Sequence, residues 1–298
     1  MQNEGVSVII TAYHTENYIE ECLDSVARQT WFKDHDSWEI LLGIDHCEAT
    51  LKKVKEIMPK YSNFRVFYNT ENVGTYITSN TLIDKAKYAR ILRFDSDDIM
   101  KKDMVEKMMT SMSTVTGCKL VQCYFENYPK KEKGKNTGVA HGVFLCKKSV
   151  FIKYGGFMPW KCAADTEFLK RTSTDIKPTI YPIVLFYYRM HEASLTKDKK
   201  TDMQSDIRKE YRKYIDNESL SKPVIKTVIA YSTEIVTEKP ALTIIDDTAE
   251  IVKESVQVVE PQKTESVKEA LINTTVHVRK TSRNVVRKRV NANTYMGT

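Results

Sequence analysis

Three carboxylates crowd one turn of the chain in Arg93-Phe-Asp-Ser-Asp-Asp98. They follow an apolar run, Tyr88–Phe94, that reads as a β-strand. Like charges this close repel, and leaving them unpaired is costly. A divalent cation relieves that repulsion. Mg²⁺ and Mn²⁺ prefer hard oxygen ligands and commonly take one or two carboxylates together with substrate phosphates. The competing explanation is a cap for the helix that begins near Lys101, but a cap needs one such residue, not three. Two further polar clusters, Thr11–Glu16 and Asp45–Glu48, also follow strand-like runs.

The elements that must position these clusters alternate. Strands are expected at Val6–Ile10, Trp38–Ile44, Phe64–Tyr68 and Tyr88–Phe94. Between and after them, helices are expected around Tyr18, Cys22 and Val26, at Thr50–Met58, at Tyr76–Ala86 and at Lys102–Ser113. Such alternation predicts an α/β fold with a mostly parallel sheet flanked by helices. Ligands of such sheets sit beyond the carboxyl ends of the strands. All three polar clusters should therefore meet at one rim. After Leu120 strands and turns mix, as in an α+β second half.

Composition bounds the rest. The 298 residues carry 46 basic and 39 acidic side chains, a net charge of +7. That bias is too mild to mark a nucleic-acid binder, and none is expected as a partner. No apolar run approaches the roughly 20 residues of a membrane-spanning helix. The start, MQNEGVSVII, lacks the basic region of a secretory signal. Six cysteines show no C-x-x-C spacing, which suits reduced thiols and a cytoplasmic setting. The chain has 3 Trp, 16 Tyr and 10 Phe residues, yet only Tyr231 and Tyr295 lie beyond Asp216. A folded domain over residues 1–216, with halves at 1–115 and 116–216, is therefore expected, followed by a flexible low-complexity tail at 217–298. Past Ala270 the tail has no acidic residue but carries Arg279, Lys280, Arg283, Arg287, Lys288 and Arg289. Weak contact with an anionic membrane would suit it, which makes the chain cytoplasmic or membrane-peripheral.

Taken together, Val6-Ser-Val-Ile-Ile-Thr-Ala-Tyr13, Asp45, Asn72-Val-Gly74 with Asn80, and Asp95-Ser-Asp-Asp98 resemble the family 2 glycosyltransferases. Gly155-Gly-Phe157, Ala164-Asp-Thr-Glu-Phe-Leu-Lys-Arg171 and Tyr188-Arg-Met-His-Glu-Ala-Ser194 continue the likeness. It runs from about Val6 to Thr196, and the joint order and spacing of the pieces make it specific. The resemblance implies a GT-A, Rossmann-like fold and an inverting enzyme. That enzyme would move a sugar from a nucleotide-sugar, mostly a UDP-sugar in this family, to a hydroxyl of a glycan or another acceptor. It would use Mn²⁺ or Mg²⁺. By the same resemblance, Thr11, Ala12, Tyr13 and Glu16 line the nucleotide-sugar pocket with Asn72, Gly74, Asn80, Arg93, Asp95 and Ser96, and Asp45 hydrogen-bonds the base. Asp97 ligates the metal, with Asp98 as the competing ligand and His191 nearby. Asp165 takes the position of the catalytic base, although it is equally placed to cap the helix over Thr166–Arg171.

The chain also departs from the family. Many relatives carry Asp-Asp-Gly-Ser where this sequence has Asp45-His-Cys-Glu48, and an arginine where it has Ser79. The missing charge must come from elsewhere, with Arg93 and Lys85 as the candidates. A nucleotidyltransferase would want a basic glycine-rich phosphate loop after the first strand, and Thr11–Glu16 has none. The remaining alternative is a catalytically degenerate binding module on the same fold, with a tail that recruits partners.

Overall fold

The computed structural model describes residues 4–236 apart from Ala193, Lys222 and Pro223. One nine-stranded sheet organises them. Its centre is β1 (Val6–Ala12), buried at every position. A strand covered on both faces is apolar on both, which explains Val6, Val8, Ile9 and Ile10; Ser7 between them donates to the buried Glu39 carboxylate at 2.7 Å. β1 pairs in parallel with β2 (Trp38–Ile44) on one side and β4 (Arg90–Asp95) on the other, and β3 (Phe64–Asn69) extends β2 in parallel. Alternate β1 residues feed two cores. Val8 and Ile10 pack with α1 (Ile19–Ala27), α3 (Glu48–Ile57) and α5 (Met104–Thr114). Ile9 packs with α4 (Thr75–Lys85), α6 (Lys148–Tyr154) and α7 (Ala164–Thr172). A short helix, α2 (Trp31–Asp34), precedes β2.

Beyond β4 the sheet becomes mixed. β7 (Thr137–Lys147) runs antiparallel to β4 and to β6 (Leu120–Tyr128). β8 (Thr179–Arg189) runs parallel to β6 and antiparallel to the two-residue β5 (Ile99–Met100). The full order is β5-β8-β6-β7-β4-β1-β2-β3-β9, where β9 is Ser232–Ile235. The expected alternation over the first 113 residues is present with boundaries moved by one or two residues, and the mixed half begins at Leu120 as expected. Helix α8 (Asp206–Asn217) closes the second half, where its Tyr211 stacks on Trp160. Among the described residues no helix is long and apolar enough to cross a membrane.

The expected domain end at Asp216 is corrected. β9 (Ser232–Ile235) adds an antiparallel strand to the free edge of β3. The segment leading to it is tied down as well. The Ile225 N–H donates to the Tyr154 carbonyl, Asn80 Nδ2 to the Val228 carbonyl, and the Ala230 N–H to Thr81 Oγ1. Arg65 on β3 donates two hydrogen bonds to the Glu234 carboxylate. Falling aromatic content mislocated the boundary because this attachment uses backbone groups. An exposed strand edge offers a row of N–H and C=O groups that any extended segment can satisfy. The basic cluster and the membrane contact expected of it lie outside the described residues.

A chain ending at Ala241 should therefore melt with the full-length protein. One ending at Asp216 should melt about 5 °C lower or more, since it loses several hydrogen bonds of roughly 1 kcal/mol each. Equal melting temperatures for the two truncations would show that β9 contributes nothing to the fold.

Candidate active site

The carboxyl ends of β1, β2 and β4 deliver the three polar clusters to one rim, as the parallel register requires. At the end of β2, Asp45 is buried and accepts three hydrogen bonds. Asn69 Nδ2 and the Val73 N–H reach its Oδ1 at 2.9 Å each, and the Gly74 N–H reaches its Oδ2 at 2.7 Å. Asn72 Nδ2 donates to the Asp45 carbonyl at 3.2 Å. The Asp45 N–H in turn donates to the Ala12 carbonyl at 2.9 Å. Gly74 sits at φ +89°, a left-handed conformation that favours glycine, and it opens α4. Asp45 thus clamps the Asn72–Gly74 turn, a role unlike the base contact expected for it.

The acidic turn after β4 is uneven. Asp98 is buried, and its Oδ1 accepts the Arg189 N–H at 2.8 Å while its Oδ2 is buried without a partner. Burial pushes its carboxyl well above the usual range, and the charges of Asp97 and Asp95 add to the effect. Asp97 is half-buried, and its Oδ2 lies 2.8 Å from His191 Nε2. His191 Nδ1 is also buried without a partner. Arg189 Nε donates to the Asp97 carbonyl at 2.8 Å, which fixes the turn from the end of β8. Clustered hard oxygens with one imidazole and an unpartnered carboxylate oxygen fit a divalent cation.

On the other side of the turn, Arg93 is buried and its Nη2 lies 2.9 Å from Asp95 Oδ1. Its Nη1 donates to the Gly142 carbonyl, and its Nη2 also donates to Thr75 Oγ1 at 3.2 Å. Thr75 Oγ1 is 2.6 Å from Thr11 Oγ1. Asp165 lies in the first turn of α7, after the cap residue Ala163, so it does not itself cap the helix. Its Oδ1 accepts from Tyr76 Oη at 3.2 Å and from the Thr166 N–H at 2.7 Å. A Cβ on Gly142 would lie 3.1 Å from both Arg93 Nη1 and Asp165 Oδ2, and 3.6 Å from Asp95 Oδ2. A glycine on β7 is what lets carboxylates from β4 and α7 approach one guanidinium.

The rim brings together Thr11, Arg93, Asp95 and Asp165, and beside them Asp97, Asp98 and His191. Tyr13 is exposed at the same rim, Glu16 accepts from Thr50 Oγ1 at 3.1 Å, and Ser96 is buried inside the acidic turn. Asn80 is placed elsewhere. It donates to the Phe157 carbonyl and accepts the Phe157 N–H, both at 2.9 Å, so it holds the loop before α7. Lys85 ends α4, where its Nζ lies 3.9 Å from Asp84 Oδ2, whereas Arg93 lies within the rim cluster. No motif in the sequence points to Tyr76, Thr75 or Gly142, although Gly142 inside a strand pattern is a sign of close approach.

With this geometry in view, comparison with known proteins identifies the family. Residues 7–171, more than half of the chain, match the model of glycosyl transferase family 2, and the chain belongs to that family. It is 32% identical over 111 residues to TuaG of Bacillus subtilis (strain 168), a glycosyltransferase named for teichuronic acid biosynthesis; the match covers 36% of this chain and 41% of TuaG. The chain spans less than half the length of curated relatives such as TuaG. Among solved structures, S. aureus TarS 1-349 in complex with UDP-GlcNAc superposes with a TM-score of 0.55 at 17% identity, covering 73% of this chain and 72% of that one. The mannosyltransferase PcManGT from Pyrobaculum calidifontis, in complex with GDP-Man and Mn²⁺, superposes with a TM-score of 0.54 at 14% identity, covering 73% and 72%. These likenesses establish the GT-A fold.

Asp45→Ala should destabilise the protein by about 2–4 kcal/mol in urea denaturation, because it strands two backbone N–H groups and the Asn69 amide. A loss below about 0.5 kcal/mol, typical of a surface change, would show that the clamp is not formed.

Proposed function

We propose that this chain is a cation-dependent, inverting glycosyltransferase. It would transfer a sugar from a nucleoside-diphosphate sugar, with UDP the favoured nucleotide, to a hydroxyl of a glycan or another acceptor. The observation that carries this reading is the Asp165 carboxylate. Its Oδ1 is held by Tyr76 and Thr166, while Oδ2 lies beside Arg93 and Asp95 at the rim of the acidic turn. The UDP-GlcNAc complex of TarS, and the GDP-Man and Mn²⁺ complex of PcManGT, support the donor class and the cation.

Asp97 and His191 would hold the cation, with the unpartnered Oδ2 of Asp98 behind them. Bound there, Mn²⁺ or Mg²⁺ would neutralise charge on a departing diphosphate. Thr11, Ala12, Tyr13, Glu16 and the clamped Asn72–Gly74 turn would line the nucleotide side. Arg93 would add positive charge where Ser79 lacks it. Because Arg93 is fixed in advance by Asp95, Thr75 and Gly142, that charge needs no rearrangement during reaction. As the acceptor oxygen forms its bond to the anomeric carbon, its proton passes to Asp165 Oδ2 and the bond from that carbon to the phosphate oxygen breaks. Tyr76 and Thr166 steer one oxygen of the base inward, which leaves the other for the acceptor.

Asp165→Asn preserves shape and hydrogen-bonding size but removes basicity. Its nucleotide-sugar dissociation constant should stay near the wild-type value, while turnover falls about 10²–10⁴-fold. Near-normal turnover would remove Asp165 from the reaction and leave it as a support for α7.

A further inference from the structure

The departure at Asp45-His-Cys-Glu48 places a thiol at the rim, and the reading above makes no use of it. Cys47 precedes α3 and is buried, with its Sγ 3.5 Å from His14 Nδ1. One donor atom from each of His14, Glu16 and Cys47 lies within 4.8 Å of the other two. We propose that these three side chains form a binding site for a thiophilic divalent cation of the Zn²⁺ type, joining the loop after β1 to the loop after β2.

The spacing suits the ion. Around a tetrahedral Zn²⁺, sulfur at about 2.3 Å and imidazole nitrogen at about 2.0–2.1 Å lie roughly 3.5 Å apart. The chemistry suits it too. Thiolate and imidazole select Zn²⁺-like ions, whereas the carboxylates of the acidic turn suit Mn²⁺ and Mg²⁺. The two sites would therefore sort metals by ligand softness. The donors are also oriented before any ion arrives. Thr50 Oγ1 donates to Glu16 Oε2 at 3.1 Å and lies 3.3 Å from Cys47 Sγ, an outer contact of the kind that aims metal ligands. The Asp45 clamp and its N–H bond to the Ala12 carbonyl fix the two loops to each other. His14 is exposed and Glu16 half-buried, so an ion enters from solvent and meets the buried thiol last. On binding, the Cys47 S–H bond is replaced by a sulfur–metal bond and the proton leaves to solvent. Three protein ligands leave the fourth position to water, as in exchangeable sites.

The test uses the full chain, reduced and freed of metal, with Co²⁺ as the probe. Wild type should develop a thiolate-to-cobalt charge-transfer band in the near ultraviolet together with the visible bands of tetrahedral Co²⁺, and Zn²⁺ should abolish both. Cys47→Ser should lose the charge-transfer band. His14→Ala, at an exposed position that leaves the core intact, should weaken Co²⁺ binding by about tenfold or more. Asp97→Ala should leave the spectrum unchanged. No charge-transfer band in wild type, its persistence in Cys47→Ser, unchanged affinity in His14→Ala, or its loss in Asp97→Ala would each overturn the site. No sugar transfer is read in this experiment, so its result stands apart from the fate of the proposed function.

Discussion

A buried guanidinium allows carboxylates from the two halves of the fold to share one rim. Arg93 sits on β4, contacts Asp95 directly and lies beside Asp165 on α7. Burial pushes the Asp95 carboxyl upward, and Arg93 pulls against that shift. A buried charge is tolerable only when paired and hydrogen-bonded, and Arg93 finds Asp95, Thr75 and the Gly142 carbonyl. The small side of Gly142 makes the gathering possible. The parallel half and the mixed half are thus joined by charge at this rim.

Two further buried carboxylates keep that junction rigid. Asp45 holds the Asn72–Gly74 turn at the mouth of α4, the helix that carries Thr75 and Tyr76. Glu167 and Arg171, both fully buried, pair at 2.8 Å within α7. Arg171 also donates to the Tyr154 and Gly156 carbonyls, which ties the helix bearing Asp165 to the turn after α6. Removing one partner of such a pair costs about 3–5 kcal/mol, because the other charge is left buried and alone. Here the pair fixes the helix that positions Asp165, and Asn80 secures the same loop from α4 through Phe157.

The α/β half was legible in the sequence because its signals are local. Strand-sized apolar runs, helical stripes and a Pro at the end of α3 mark elements one at a time. The acidic turn was legible because three carboxylates in four residues have few explanations. Side chains that act across long separations were not legible. Tyr76 meets Asp165 across 89 positions and Asn80 meets Phe157 across 77, and neither pair has a spacing rule. The clamp made by Asp45 was not legible because its partners are mainly backbone N–H groups of Val73 and Gly74, which no residue type announces. β9 escaped for the same reason, since backbone pairing to an edge leaves little mark on composition.

The dependence of nucleotide binding on a divalent cation bears most directly on the function proposed for the acidic turn. Titration calorimetry of the wild-type chain with UDP and with GDP, in Mn²⁺ and in chelator, measures it. At least one nucleotide should bind about tenfold more tightly with Mn²⁺, a coupling within the ordinary range for two ligands at one site. Affinities unchanged by Mn²⁺, or binding of neither nucleotide, would contradict a cation-dependent nucleotide-sugar site at Asp97 and His191.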